Sequence, residues 1–188
     1  MSHEISTPHT RSPISVFGEV IAMLEKFLDE INERNKSRKV ISKMTPSEID
    51  QFLTHARVGR IGLSLEDGPY VVPVGYCWED GKIFFHSCFS GTKMDAMRRD
   101  PRVCFQVDES LSDGSMYKSV MIRGDVEIID DPEEMVPYLQ SLIDKYRVPV
   151  GFDEYIGRPG RSREKEMAIM RVCVIKTREL GSRRVAAV

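Results

Sequence analysis

The sequence predicts a mainly β fold with accessory helices, closed as an antiparallel barrel. Two observations carry this. From Val58 to Thr177, short runs of β-branched and aromatic residues alternate with turn signals such as Glu66-Asp67-Gly68-Pro69 and Glu79-Asp80-Gly81. Few helices interrupt these runs, and most neighbouring strands are joined by hairpins. A chain of that kind buries its apolar faces by rolling the sheet onto itself.

The elements follow in order. Residues 16–35 carry Phe17, Val20, Ile21, Leu24, Phe27, Leu28 and Ile31 at helical spacing, opposite Glu25, Lys26, Asp29 and Glu30. This amphipathic helix packs on the domain or on a partner subunit, and Lys36-Ser37-Arg38-Lys39 is a solvated linker. Thr45-Pro46-Ser47-Glu48 combines a cap, a first-turn proline and a glutamate, so it opens a helix that runs to about His55. Strands are expected over Val58–Leu65, Tyr70–Trp78, Lys82–Ser87, Arg102–Asp108, Met116–Ile129 and Met167–Thr177. Gly124 is expected to kink the long fifth strand. Helices are expected over Thr92–Arg99, stopped by Asp100-Pro101, and from Asp131-Pro132 to Tyr146. Arg147–Glu164 is rich in Gly, Pro and Arg and reads as a loop. The chain thus divides into a disordered lead-in over 1–15, a helix and linker over 16–40, the barrel domain over 41–180 and a tail over 181–188.

Composition excludes some classes. The 188 residues suffice for one domain with a core, and a net charge of −2 lacks the basic footprint of a dedicated nucleic-acid binder. No apolar run is long enough to span a bilayer, and the polar N-terminus has no hydrophobic signal core, so a cytoplasmic protein without a membrane partner is expected. Cys77, Cys88, Cys104 and Cys173 form no C-x-x-C pair, so they are expected to be buried free thiols rather than a metal site.

Chemistry concentrates in Phe85-His86-Ser87-Cys88-Phe89-Ser90-Gly91-Thr92-Lys93. A strand ends in His-Ser, a short glycine turn follows, and a helix opens on Thr-Lys. Unpaired N–H groups at a helix start, hydroxyls and a lysine together suit a phosphate. His86 has the near-neutral titration that proton transfer needs, although a lone histidine at a strand end is more often structural. Pro73 and Gly75 share one face of their strand. A proline in mid-strand marks either an edge strand or a surface against which a flat ligand lies. Ser119 and Met121 alternate with Lys118, Val120 and Ile122, an amphipathic strand that could offer Lys118 or Ser119 at a subunit seam.

Several pieces together resemble a known family. They are Val58-Gly59-Arg60-Ile61-Gly62, Gly68-Pro69-Tyr70-Val71-Val72-Pro73-Val74, Ile83-Phe84-Phe85-His86-Ser87 and Gly91-x-Lys93, followed by Asp100-Pro101-Arg102-Val103-Cys104-Phe105, Tyr117-x-Ser119-Val120 and Gly124. The chain from about Met44 to Thr177 resembles the pyridoxamine 5′-phosphate oxidase-like, FMN-binding split-barrel proteins, with the nitroimidazole-resistance, flavin-reductase-like branch nearest. The resemblance implies a six-stranded antiparallel split β-barrel that forms a homodimer with FMN at the subunit interface. By position, Pro73 and Val74 would border the isoalloxazine through main-chain contacts, and His86 and Ser87 would lie beside the flavin. Gly91, Thr92 and Lys93 would hold its phosphate, and Ser119 would approach from the other subunit. The implied activity is an FMN-dependent oxidoreductase, a nitroreductase in its concrete form, with His86 orienting or protonating a small acceptor such as a nitroaromatic. The C-terminal segment Gly181-Ser182-Arg183-Arg184 lacks the tryptophan-bearing substrate segment of true pyridoxamine phosphate oxidases, and Trp78 is the only tryptophan. Vitamin-B6 phosphate is therefore not the expected substrate. Two alternatives are a non-catalytic flavin-binding or sensing protein, and a haem-binding relative using His3, His9, His55 or His86.

Overall fold

A computed structural model of the chain describes residues 21–30, 40–112, 114–160 and 162–186. The expected lead-in over 1–15, the linker and both ends of the helix expected over 16–35 lie outside the described residues. Residues 21–30 are helical, and their apolar side chains, Phe27 and Leu28 among them, are exposed.

Among the described residues, eight strands form one antiparallel sheet. They are β1 (Val40–Ser42), β2 (Val58–Leu65), β3 (Gly68–Gly75), β4 (Cys77–Glu79), β5 (Lys82–Cys88), β6 (Arg102–Ser110), β7 (Met116–Ile129) and β8 (Met170–Ala186). The strand order is β3-β2-β6-β7-β8-β5-β4, with β1 added on β8. The two ends of that order, β3 and β4, are consecutive in the chain and separated by Tyr76 alone. The sheet must therefore curl until its ends meet, and the fold is a split barrel. Besides the helical residues 21–30, the described helices are α1 (Pro46–His55), α2 (Thr92–Arg99), α3 (Pro132–Tyr146), α4 (Phe152–Ile156) and α5 (Arg163–Ile169).

Two apolar clusters result. Inward residues of the strands, with Phe85, Phe105 and Ile122 fully buried, fill the barrel together with Met94 and Met97 of α2. The outer face of β4, β5 and β8 packs under α3, α4 and α5 through Phe84, Val172, Val174, Met135 and Leu139. Phe84 meets Tyr138 edge-on at 4.9 Å. β5 thus has two apolar faces, and its side chains alternate between barrel and helical layer.

Glycines let backbones close in at two points. A Cβ on Gly59 would lie 2.2 Å from the Phe105 ring, and one on Gly124 would lie 2.3 Å from the Lys176 carbonyl. Gly124 also sits at a register shift in the β7–β8 ladder, the kink its position foretold.

Several expectations need correction. The strand expected over Tyr70–Trp78 breaks at Tyr76, whose N–H leaves the ladder to donate to the Tyr146 hydroxyl at 3.0 Å. Its own hydroxyl donates to the Leu53 carbonyl at 2.8 Å. The expected loop Arg147–Glu164 contains α4 and the start of α5, because Phe152 and Ile156 anchor one helical turn in the outer cluster. The last strand begins at Met170 rather than Met167 and continues to Ala186 rather than stopping at Thr177. Charges pair across the ladder with β7 around Thr177, as Arg178 does with Asp125 at 3.0 Å and Lys176 with Glu127 at 3.0 Å. Of the four cysteines, Cys77 and Cys173 are buried, but Cys88 is exposed and Cys104 is half-buried. Eight strands stand where six were expected because β1 is a three-residue addition and β4 is the end of the second expected strand, split off at Tyr76; the split-barrel class stands.

Candidate functional site

The start of α2 differs from the other helix starts. α1 begins in a capping box, with Thr45 accepting from the Glu48 N–H and the Glu48 carboxylate accepting from the Thr45 N–H at 2.8 Å. At α3, Asp131 accepts from the Glu133 and Glu134 N–H groups, and at α5, Ser162 accepts from the Lys165 N–H. At α4 the Phe152 N–H donates to Gln140 at 2.9 Å. α2 opens on Gly91, which has φ 111° and no capping side chain. Among the described residues no side chain accepts from its first-turn N–H groups.

Lys93 lies in that turn. It is half-buried, and its Nζ stands 5.4 Å from the centre of the Phe85 ring. No described carboxylate pairs with it. Burial lowers its pKa, while the neighbouring Cys173 and Cys88 thiols oppose that shift. A half-buried cation with no described counter-ion, beside the positive end of a helix, has the charge and the donors an anion would need.

His86 and Ser87 precede this turn on β5. Ser87 points inward and is buried, whereas His86 points outward and is open to solvent. In register, His86 stands opposite Val172, and Cys88 opposite Met170. Among the described residues His86 has no hydrogen-bond partner. Its pKa is lowered, first by the protein packed around it and then by the Lys93 charge. The imidazole is solvent-accessible from one side but desolvated on the others because it lies in a concave wall.

That wall belongs to a cleft of about 460 Å³ on the outside of the barrel. β5 and β8 form one side. Leu139, Leu142, Ile143 and Tyr146 of α3, Phe152 of α4 and Ile169 of α5 form the other. Gly75 closes the near end. Gly75 and His86 line the same cleft. Pro73 and Gly75 share the exposed face of β3, and Val74 points into the core. β3 pairs with β2 alone, so Pro73 sits on a sheet edge where its missing N–H costs no ladder bond.

The structure therefore brings His86 and Ser87 to one cleft, sets Gly91, Thr92 and Lys93 directly after them in the chain, and places Pro73 and Val74 on the adjoining edge strand. Ser119 stands apart. It pairs with Arg183, whereas His86 pairs with Val172, so the two partners lie about 35 Å apart along β8 at about 3.3 Å per residue. Sequence reasoning missed the far wall of the cleft. The available signal was Gly151-Phe152 with Ile156 four residues on, a single apolar helical turn inside a segment dominated by Gly and Arg.

A family model described as pyridoxamine 5′-phosphate oxidase matches residues 45–184. An uncharacterized protein of Rhizobium meliloti (strain 1021) is 31% identical over 83 residues, which cover 43% of this chain and 52% of that protein. The chain thus spans about half the length of that curated relative. Among solved structures, an FAD-binding protein from Mesorhizobium loti is 25% identical with a TM-score of 0.59, over 78% of this chain and 98% of the other. A candidate 5-nitroimidazole antibiotic resistance protein from Bacteroides thetaiotaomicron is 21% identical with a TM-score of 0.63, over 78% and 90% of the two chains. With a match spanning the barrel from the cap of α1 to the last residues of β8, the chain belongs to the pyridoxamine 5′-phosphate oxidase family.

Proposed function

We propose that this chain binds FMN and acts as an oxidoreductase that passes electrons through it to a small acceptor such as a nitroaromatic. The observation that carries this reading is the uncapped start of α2 with Lys93 beside it, a half-buried cation that no described carboxylate pairs with. A terminal phosphate would supply the missing negative charge and accept from the first-turn N–H groups. The family match and the FAD-binding relative support a flavin as the group that carries that phosphate.

Bound flavin would supply the electron transfer, leaving the protein to bind, orient and exclude water. Gly91, Thr92 and Lys93 hold the phosphate, and the exposed face of β3 at Pro73, with the Val74 main chain, borders the ring. His86 is neutral near pH 7, so one nitrogen can donate a hydrogen bond to an acceptor oxygen and the other can accept.

The site is completed by a second copy of the chain. Ser119 is too far along β8 to reach His86 within one subunit, and the sheet face it shares with Met121 and the edge strand's Val71 has exposed apolar side chains. A homodimer that pairs these faces brings Ser119 of one subunit toward the flavin wall of the other. Four thiols without a disulfide agree with a reducing cytoplasm.

The test is the visible spectrum of the purified protein, before and after incubation with FMN, followed by anaerobic addition of reduced nicotinamide and a nitroimidazole. Expected are flavin absorbance that co-elutes with the protein and loss of the nitro chromophore. A protein that takes up no FMN would overturn the reading.

A further inference from the structure

The helical residues 21–30 carry an apolar face that is left open to solvent. Ile21, Leu24, Phe27 and Leu28 recur three and four residues apart, so they share one side of the helix. Their exposures run from 45% for Ile21 to 59% for Phe27. A helix this short draws its stability from packing rather than from propensity, so its apolar side calls for a surface to dock on.

The cleft outside the barrel is a surface of matching kind. Leu139, Leu142, Ile143 and Phe152 line it. Phe89 and Ile169 form an apolar lip beside it, where the Phe89 N–H donates to the Ile169 carbonyl at 2.8 Å. Both lip side chains are exposed, at 43% and 49%. An amphipathic helix laid in an apolar groove buries both faces at once.

The tether decides whose helix it is. Val40 of β1 stands opposite Ala186, about 46 Å along β8 from Val172, the residue opposite His86, at about 3.3 Å per residue. The ten steps from residue 30 to Val40 span at most about 35 Å when fully extended. The helix is therefore anchored at the end of the sheet that holds Ser119 and Arg183, and its own cleft opens at the other end. In the homodimer proposed above, that anchored end of one subunit meets the flavin wall of the other. Pairing of the two helices with each other is disfavoured, because each carries three carboxylates, Glu25, Asp29 and Glu30, against Lys26 alone.

We infer that helix 21–30 of one subunit docks across the seam into the apolar cleft of its partner. This rests on the homodimer reading. The docked helix keeps water from the cleft walls and from the open side of His86, so each site is completed by its neighbour's N-terminal helix. The family match begins at residue 45, so this helix is an addition to the matched barrel.

Cys88 is exposed and lines the cleft, which makes it a native reporter. Met23, on the margin of the apolar face, is 67% exposed, so Met23→Cys leaves the fold intact. Treatment of this variant with a short bismaleimide should give a covalent dimer on a denaturing gel, and adding Cys88→Ser should abolish it. A cross-link within one chain would overturn the inference, because the helix would then cover its own cleft. A dimer that persists with Cys88→Ser would overturn it too, because the helices would then pair with each other. In a second measurement, Phe27→Asp with Leu28→Asp should raise the rate at which N-ethylmaleimide labels Cys88 at least fivefold, and an unchanged rate would overturn the docking. Light scattering of the unmodified chain separates the two readings. A monomer would sink the homodimer and the docking together, whereas a dimer with an unchanged Cys88 labelling rate would sink the docking alone.

Discussion

A Cβ on Gly75 would stand 2.7 Å from the Tyr146 hydroxyl and 3.1 Å from its ring carbon Cζ. The phenol is held where it is, because it accepts from the Tyr76 N–H at 3.0 Å and donates to the Arg57 carbonyl. Burial raises its pKa, so it stays a donor. This contact joins the end of α3 to the break between β3 and β4, where the barrel closes and the cleft begins. Gly75→Ala should destabilise the fold by about 1–3 kcal/mol through overpacking. Tyr146→Phe should cost about 1–3 kcal/mol in lost hydrogen bonds. The double variant should cost less than the sum, because removing the hydroxyl relieves the closest clash. Urea denaturation of the four proteins measures this, and additive energies would contradict it.

The lowered pKa of His86 makes stability depend on pH in a stated direction. The imidazole of the unfolded chain titrates near 6.5, and that of the folded chain titrates below it. As pH falls through 6.5, the unfolded state gains a proton that the folded state refuses, so stability drops; above that window this difference vanishes. The melting temperature should fall between pH 7.5 and pH 5.5, and His86→Gln should reduce the fall. An unchanged pH profile in the variant would show that His86 is not desolvated.

Gly124 and Gly59 are places where the barrel leaves no room for a methyl group. The obstacle at Gly124 is backbone, the Lys176 carbonyl, and at Gly59 it is the ring of Phe105, itself fully buried. Alanine at either position should cost about 1–3 kcal/mol. At Gly181, where a Cβ would meet nothing, alanine should be tolerated. Thermal melts of the three variants test the contrast.

Met121 is 43% exposed on the sheet face proposed as the subunit seam. Met121→Glu should convert a dimer into a monomer by light scattering and reduce flavin retention, while the far-ultraviolet circular dichroism stays that of the folded barrel. A dimer that survives the change would place the seam elsewhere.

Much of this was legible in the chain. Thr92–Arg99 is bounded by a glycine and by Asp100-Pro101, and Met116–Ile129 alternates cleanly, so both match the structure at each end. The helix start at Gly91 was legible because helix starts are marked by residue type. The cleft was not, because its walls come from α3, α4 and α5, which meet β5 only through long-range packing. The far half of β8 was hidden for another reason. It has many exposed side chains, so it lacks an apolar alternation, and its strand state comes from pairing with β7. Tyr76 illustrates a third case, in which a side chain seventy residues away, Tyr146, takes a backbone N–H from the ladder.

The central claim is that the start of α2 and Lys93 bind the phosphate of a flavin. The direct measurement is fluorescence titration of the flavin-free protein with FMN and with riboflavin, which differ by that phosphate. The account predicts that FMN binds at least tenfold tighter, that Lys93→Met abolishes the difference, and that the flavin-free variant is no less stable, since an unpaired half-buried cation has been removed. Equal affinity of the unmodified protein for the two flavins would contradict it.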